Sequence, residues 1–153
     1  MDDFTGNIAA KLDSQGRVPV PVVFRRILQQ TEDNTLYIRP DTYRNCLVLY
    51  SKTAWEAQKA QFRERLDLLD EEQSSFYEYL ISADRVEMDN VGRIQIPKLA
   101  LQGAHITNEV RFVGVDNTIK LWNPEDYDNF IADNRKNFKN NAKRFFGNAQ
   151  TSN

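Results

Sequence analysis

Apolar and polar positions alternate in two short stretches, Val18 and Val20 around Pro19, and Ile94 and Ile96 around Gln95. Each is expected to be a strand with one buried face, and Pro19 puts the first at a sheet edge or bulge. Pro21 and Pro97 follow and suit the first turn of a helix, where the missing N–H has no helical partner to lose. Phe24, Ile27 and Leu28 then place apolar groups on one side of that helix. Leu36-Tyr37-Ile38 and Leu47-Val48-Leu49-Tyr50-Ser51 read as two more strands, with turns at Asp33-Asn34 and Asp41-Thr42. The period then lengthens: Trp55, Phe62, Leu66 and Leu69 fall at i, i+7, i+11 and i+14, the spacing of one helical face. Asp70-Glu71-Glu72 opens a second helical stretch carrying Phe76, Tyr77, Leu80 and Ile81, and Ser82-Ala83-Asp84 leads into a strand, Arg85-Val86-Glu87-Met88. These helical stripes are core or partner-helix faces, not ligand sites.

The pattern occurs twice. Leu12-Asp13-Ser14-Gln15-Gly16-Arg17-Val18-Pro19-Val20-Pro21 returns 76 positions later as Met88-Asp89-Asn90-Val91-Gly92-Arg93-Ile94-Gln95-Ile96-Pro97. Val110-Arg111-Phe112-Val113 answers Leu36-Tyr37-Ile38, and Ile119-Lys120-Leu121-Trp122-Asn123 answers the Leu47 strand, with Asp116-Asn117 between these last two. Both copies then enter a helix, through Trp55 or Tyr127. Each unit is therefore expected to run strand, tight turn, strand, short helix, strand, strand. In both turns the aspartate can bond the backbone two residues on, and the glycine supplies the positive φ that closes the bend.

Composition narrows the function. The 153 residues hold 20 Lys plus Arg against 22 Asp plus Glu, for a net charge of -2, with one cysteine, Cys46, and one histidine, His105. Lone Cys46 closes no internal bridge, and together with His105 it falls short of the roughly four ligands of a zinc site. No Gly-rich phosphate loop, secretory start or membrane-length apolar run is present, so a reducing cytoplasm is the expected compartment and no cofactor is implied. Near-neutral charge is awkward for nucleic-acid binding, which rests on clustered cations. Neither half is basic, but Arg135, Lys136, Lys139, Lys143 and Arg144 follow the last acidic residue, Asp133, in an Asn-rich tail.

The doubled turn admits three chemistries. Paired lobes, each with an aspartate and a glycine, suggest an aspartic-protease dyad, but there the glycine stands two residues after the aspartate, whereas here it stands three after. An arginine just beyond the glycine would also hold the aspartate ionised, the opposite of what a shared proton needs. A Ser-His-Asp triad would have only His105, which reads as a helix-end or surface residue, and no GxSxG elbow exists. The second chemistry is recognition, with Arg17 and Arg93 projected from rigid hairpins towards phosphates or guanine edges. The third is structural: Asp13 with Arg17, and Asp89 with Arg93, pair across their own turns and fix the hairpin. The residues alone leave recognition and structure both open.

Two D-x-x-G-R turns, each followed by an aliphatic-x-aliphatic-Pro and a short helix, together with Cys46-Leu47-Val48-Leu49-Tyr50 and Gly114-Val115-Asp116-Asn117-Thr118-Ile119, closely resemble the MraZ family of bacterial transcriptional regulators, built from two domains like those of AbrB and SpoVT. The similarity runs from Phe4 to about Phe130. It implies an α+β fold, a tandem-repeat swapped-hairpin β-barrel with flanking helices, whose subunits assemble into rings. It divides the chain into a first AbrB-like repeat at 4–54, a helical connector at 55–80, a second repeat at 81–126, and a C-terminal helix with a basic Asn-rich tail at 127–153. It also implies a non-enzymatic, cytoplasmic and nucleoid-associated regulator, usually a repressor, of the division and cell-wall gene cluster that includes its own gene. Such regulators bind double-stranded DNA at repeated promoter boxes. Carried over residue by residue, the DNA-contacting turns are Asp13, Gly16 and Arg17, and Asp89, Gly92 and Arg93.

Many relatives place lysine just before the glycine, where Gln15 and Val91 stand here, so a charge is missing from each turn. Arg25, Arg26 and Lys98, on the short helices, are the second-ranked candidates for backbone contacts. A ring would let several weak tips meet several boxes, so that avidity replaces net charge. It would also bury Trp55, Phe62 and the aromatic face from Phe76 to Leu80 between subunits. Phe138, Phe145 and the tail cations could dock on a neighbour or brush DNA, although Asn-rich termini are more commonly disordered. The alternative function is a ring-forming structural or protein-interaction module without specific DNA binding.

Overall fold

The computed structural model describes residues 3–30 and 34–147. The first copy supplies β1 (Asn7–Lys11), β2 (Arg17–Pro19), α1 (Val22–Gln29), β3 (Thr35–Pro40) and β4 (Leu47–Ser51). Two helices follow, α2 (Lys52–Arg65) and α3 (Glu71–Leu80). The second copy repeats the order as β5 (Asp84–Glu87), β6 (Arg93–Gln95), α4 (Lys98–Gly103), β7 (Glu109–Val115) and β8 (Thr118–Trp122). By their internal contacts residues 1–123 form one compact unit and 124–153 another. The fold is α+β with antiparallel ladders throughout.

The two copies exchange strands. A six-stranded sheet runs β1-β7-β8-β4-β3-β5, and β2 pairs with β6 as a separate ribbon. Swapping each strand for its counterpart in the other copy returns the same order, so the sheet has internal two-fold symmetry. Only β3–β4 and β7–β8 pair within a copy, while β1, β2, β5 and β6 all find their partner in the other one. Bonds outside the ladders repeat too: the Leu12 N–H donates to the Asn108 carbonyl at 2.8 Å, and the Met88 N–H to that of Asn34 at 2.9 Å. The ladders end at β1 and β5, so the hydrogen-bonded sheet is open.

The core explains the strand patterns. Val18, Val20, Ile94 and Ile96 are buried beneath the ribbon with Phe24 and Leu28 of α1, and Ile27 packs at their margin. All five residues of β4 are buried, because Leu47 and Leu49 face this core while Val48 and Tyr50 face α2. Trp55 of α2 packs between Tyr37 and Tyr50, with ring centroids 6.1 and 5.0 Å away. Trp55 is thus buried inside its own chain, which corrects the expectation that it lies between subunits; Phe62 is half-buried and Phe76 exposed.

The short helices start one residue later than their prolines suggested, with Pro21 and Pro97 at the caps. A proline there leaves its helix one orphan N–H fewer to satisfy. The face from Trp55 to Leu69 is shorter than its spacing implied: α2 stops at Arg65, Leu66 turns to extended backbone, and Leu69 is 99% exposed. Asp67 is the cause. Its N–H donates to the Gln73 side chain and its carboxylate accepts from the Leu69 N–H, bonds that compete with another helical turn. His105, at φ 59°, is exposed at the end of α4, as expected. Asp33, one half of an expected turn, lies outside the described residues.

As far as residue 147 the second unit corrects the expectation of a disordered tail, the rest of which, 148–153, lies outside the described residues. It contains α5 (Pro124–Lys136) and α6 (Phe138–Phe145). Glu125 and Asp126 lie in the first turn of α5, and Arg135 and Lys136 in its last, the arrangement that suits a helix dipole.

Candidate nucleic-acid interface

Each D-x-x-G-R turn is a closed hydrogen-bond unit. Asp13 accepts the N–H groups of Gln15 and Arg17 on Oδ1, both at 2.9 Å, and Arg17 Nε on Oδ2 at 2.7 Å. The Gly16 N–H donates to the Asp13 carbonyl, and the Asp13 N–H to that of Arg17. The second turn repeats the set: Asp89 accepts from Val91 and Arg93 backbone N–H at 3.0 and 2.9 Å and from Arg93 Nε at 2.9 Å. Gly16 and Gly92 stand at φ 79° and 83°, where any other L-residue is strained.

Each turn is then pinned by the opposite copy. Val20 N–H donates to the Gly92 carbonyl at 2.9 Å and Ile96 N–H to that of Gly16 at 3.0 Å. The carbonyl before each glycine is also capped across the copies, that of Gln15 by Gln95 Nε2 at 2.9 Å and that of Val91 by Arg25 Nη1 at 3.0 Å. These cross-copy contacts were not legible as such. They break the symmetry: Arg25 lies against Gly92, whereas its counterpart 76 positions on, Leu101, lies against Gly16.

The arginines share one face. In the β2–β6 register Arg17 opposes Gln95, Val18 opposes Ile94 and Pro19 opposes Arg93. Directly opposed residues point the same way, and alternate residues point oppositely. Val18 and Ile94 therefore face the core, while Arg17, Pro19, Arg93 and Gln95 face out, the arginines on a diagonal about 7–8 Å apart. The arginine side chains are 36% and 39% exposed. Each uses only Nε for its aspartate, and its terminal nitrogens have no other partner among the described residues. A planar pair of donors is left facing outward from each turn.

The Asp13 carboxyl sits below its ordinary 3.8, held there first by the Arg17 N–H, against some desolvation, and then by the Arg17 guanidinium. Asp89 is lowered in the same way by Arg93. Two separately held, lowered carboxylates are the opposite of a proton-sharing dyad. A lowered folded value means that the turn bonds contribute fully above pH 3.8 and are lost as pH falls through that lower value. The amide resonances of Gln15, Arg17, Val91 and Arg93 are therefore expected to titrate together with a midpoint below 3.8, measured by NMR; a midpoint at or above it would mean the bonds are absent.

The second-ranked residues separate. Arg25 is not a solvated helix-face cation, since its guanidinium braces the second turn. Arg26 is exposed on the last turn of α1, and Lys98 is exposed at the start of α4, beside Asp13, Gln15 and Gln95 at the rim of a cavity of about 650 Å³. Elsewhere, burial pushes the Cys46 thiol up to about 12, so it sits in the core as a protonated thiol. Burial also acts to raise the Asp41 carboxyl, but Lys120 Nζ at 2.6 Å and backbone N–H groups hold it below its ordinary value. Among the described residues no cluster of three His, Cys, Asp or Glu could hold a metal ion, and no helix is long and apolar enough to cross a membrane.

Comparison with known proteins places this geometry in a lineage. The family model described as "MraZ protein, putative antitoxin-like" matches residues 4–76 and 80–149, reaching beyond Phe130 into the helical tail. Among curated relatives, the transcriptional regulator MraZ of Bacteroides fragilis is 42% identical over 123 residues, covering 80% of this chain and 78% of its own. That of Phocaeicola vulgatus is 40% identical over 80% of each chain. That of Natranaerobius thermophilus is 30% identical over 92% of this chain and 94% of its own. On both grounds the chain belongs to the MraZ family.

Proposed function

We propose that the protein is a sequence-specific DNA-binding transcriptional regulator, a repressor of its own division and cell-wall gene cluster, acting at repeated promoter boxes. The observation that carries this reading is the β2–β6 ribbon, with two arginines on its outer face and each guanidinium oriented by an aspartate. A two-stranded ribbon fits the major groove, and arginine is the side chain best matched to guanine O6 and N7. The names of the relatives support a regulatory role. Asp13, Gly16, Asp89 and Gly92 shape the turns, Arg17 and Arg93 touch DNA, Arg25 braces one turn, and Arg26 and Lys98 reach phosphates.

The fold reading that goes with it is a swapped-hairpin barrel of the AbrB type, supported by the strand exchange between copies. Self-association into a ring answers the charge of -2, because linked weak tips gain about two to four orders of magnitude in affinity when their spacing matches the boxes. A nucleoid location follows. The test is a fluorescence-anisotropy titration on DNA from upstream of its own gene beside a scrambled duplex, repeated over a salt series. Selective binding that falls log-linearly with salt is expected. Equal, weak binding to both duplexes would transfer the function to a ring-forming interaction module.

A further inference from the structure

Arg39 is a buried cation that no carboxylate answers. Leu36 and Ile38 of β3 face the main core, so Tyr37 and Arg39 point to the opposite face, and Arg39 is only 4% exposed. Its partners among the described residues carry no charge. Nη1 donates to Thr42 Oγ1 at a long 3.4 Å, the guanidinium bonds the Tyr50 side chain, and its carbon lies 5.9 Å from the Phe62 ring centre. Tyr50 stays neutral, since burial pushes its hydroxyl above the ordinary 10. Arg39 Nε is buried and has no acceptor among the described residues.

The acid two positions on is committed elsewhere. Asp41 Oδ1 accepts from Lys120 Nζ at 2.6 Å, and Oδ2 from the Tyr43 and Arg44 N–H groups, both at 3.0 Å. A buried guanidinium without a counter-charge is costly, and meeting an anion offsets that cost.

The Arg39 side chain lines an open cavity of about 400 Å³ between α2, the loop after β3 and the β7–β8 turn. Small-molecule sites run from roughly 300 to 1,000 Å³. Arg39, Arg44 and Lys120 stand in its wall against Asp41 and Asp116, the latter exposed in the β7–β8 turn. Asp41 holds Lys120 and lies 3.9 Å from Arg44, so Arg39 is the charge left over. Thr118, Gln58 and Asn117 add a hydroxyl and two amides to the same wall.

We propose that this cavity binds a small oxyanion, a carboxylate or phosphate on a metabolite-sized molecule, with the Arg39 guanidinium as its anchor. Arginine's planar donors suit either head group. A free small molecule is the occupant because Arg39 is buried in the wall of a ligand-sized cavity and not on an exposed face. The site shares no residue with the β2–β6 ribbon, so it stands whether or not the ribbon binds DNA.

The experiment uses the full chain, 15N-labelled at arginine and free of DNA, titrated with inorganic phosphate, phenyl phosphate or benzoate. Potassium chloride holds the ionic strength constant. The Arg39 Nε–H resonance, identified by sequential assignment, should shift and saturate with at least one probe, and phosphates against benzoate separate the two head groups. Affinity for that probe should fall about tenfold or more in Arg39→Met, as for lost charge-assisted hydrogen bonds. An Arg39 resonance that no probe moves, or that chloride alone moves as far, overturns the proposal. So does a shift that appears on concentrating the protein without a probe, which would make a carboxylate of a second copy the counter-ion.

Discussion

Arg17→Ala is expected to lower affinity for the upstream duplex about ten- to a hundredfold and to reduce the slope of affinity against salt by about one ion, whereas the scrambled duplex loses little. Arg93→Ala should behave alike, since the two turns present the same donors from the same ribbon face. The effect is large because each guanidinium is preorganised: the Nε bond to the aspartate fixes the plane of the fork before DNA arrives, so little side-chain entropy is left to lose. Arg17→Lys should recover the charge and hence the salt slope, but not selectivity, because an ammonium cannot take two guanine acceptors in one plane. Both residues are half-exposed and in surface ion pairs, so the variants should melt close to the parent, and lost binding then reports contact instead of folding. Parent-like affinity in both variants would remove these arginines as the site.

The turns were legible because their chemistry is local. An aspartate that bonds the N–H two residues on, with a glycine at positive φ one residue further, is written in four consecutive positions; the second bond, to the arginine N–H four residues on, was not read from them. The order of strands and helices in each copy was legible for the same reason. Which strand pairs with which was not: β2 and β6 are 76 positions apart, and nothing in Val18 or Ile94 alone says that they oppose each other. Arg25 shows the same limit, because its side chain reads as a helix-face cation until Val91, 66 residues away, is brought to its Nη1. Leu69 misled through periodicity, which counts apolar residues but not the Asp67 bonds that stop the helix. The asparagines of the tail misled through composition; Asn134 and Asn137 donate to the carbonyls of Phe130 and Asp133, four residues back, so Asn134 sits on α5 and Asn137 at its junction with α6, not in a polar coil.

Gly114→Ala is expected to be the most damaging single methyl group in the chain. A Cβ there would stand well inside van der Waals contact of the carbonyl carbon and oxygen of Phe4 and of the Thr5 nitrogen, all backbone atoms that no rotamer change can move. The crossing is tied on both sides, by the Phe4 N–H to the Asp116 carbonyl at 2.7 Å and the Gly114 N–H to that of Gly6 at 2.9 Å. To admit the methyl, the segment entering β1 must lift away, and it carries Phe4, 2% exposed and set edge-on against Phe24 at 5.7 Å. Losing that ring from the core is worth about 3–5 kcal/mol, which for a chain of 153 residues is a fall in melting temperature of roughly 10 °C. Gly103→Ala is the control, because nothing lies within 4 Å of its Cβ direction, and it should melt with the parent or slightly above it. Phe4→Ala completes a cycle: if the methyl acts by evicting Phe4, the double variant should lose little more than either single one. Additive losses would place the damage in the β7 backbone itself, and a parent-like melting curve for Gly114→Ala would mean that β1 does not cross there at all.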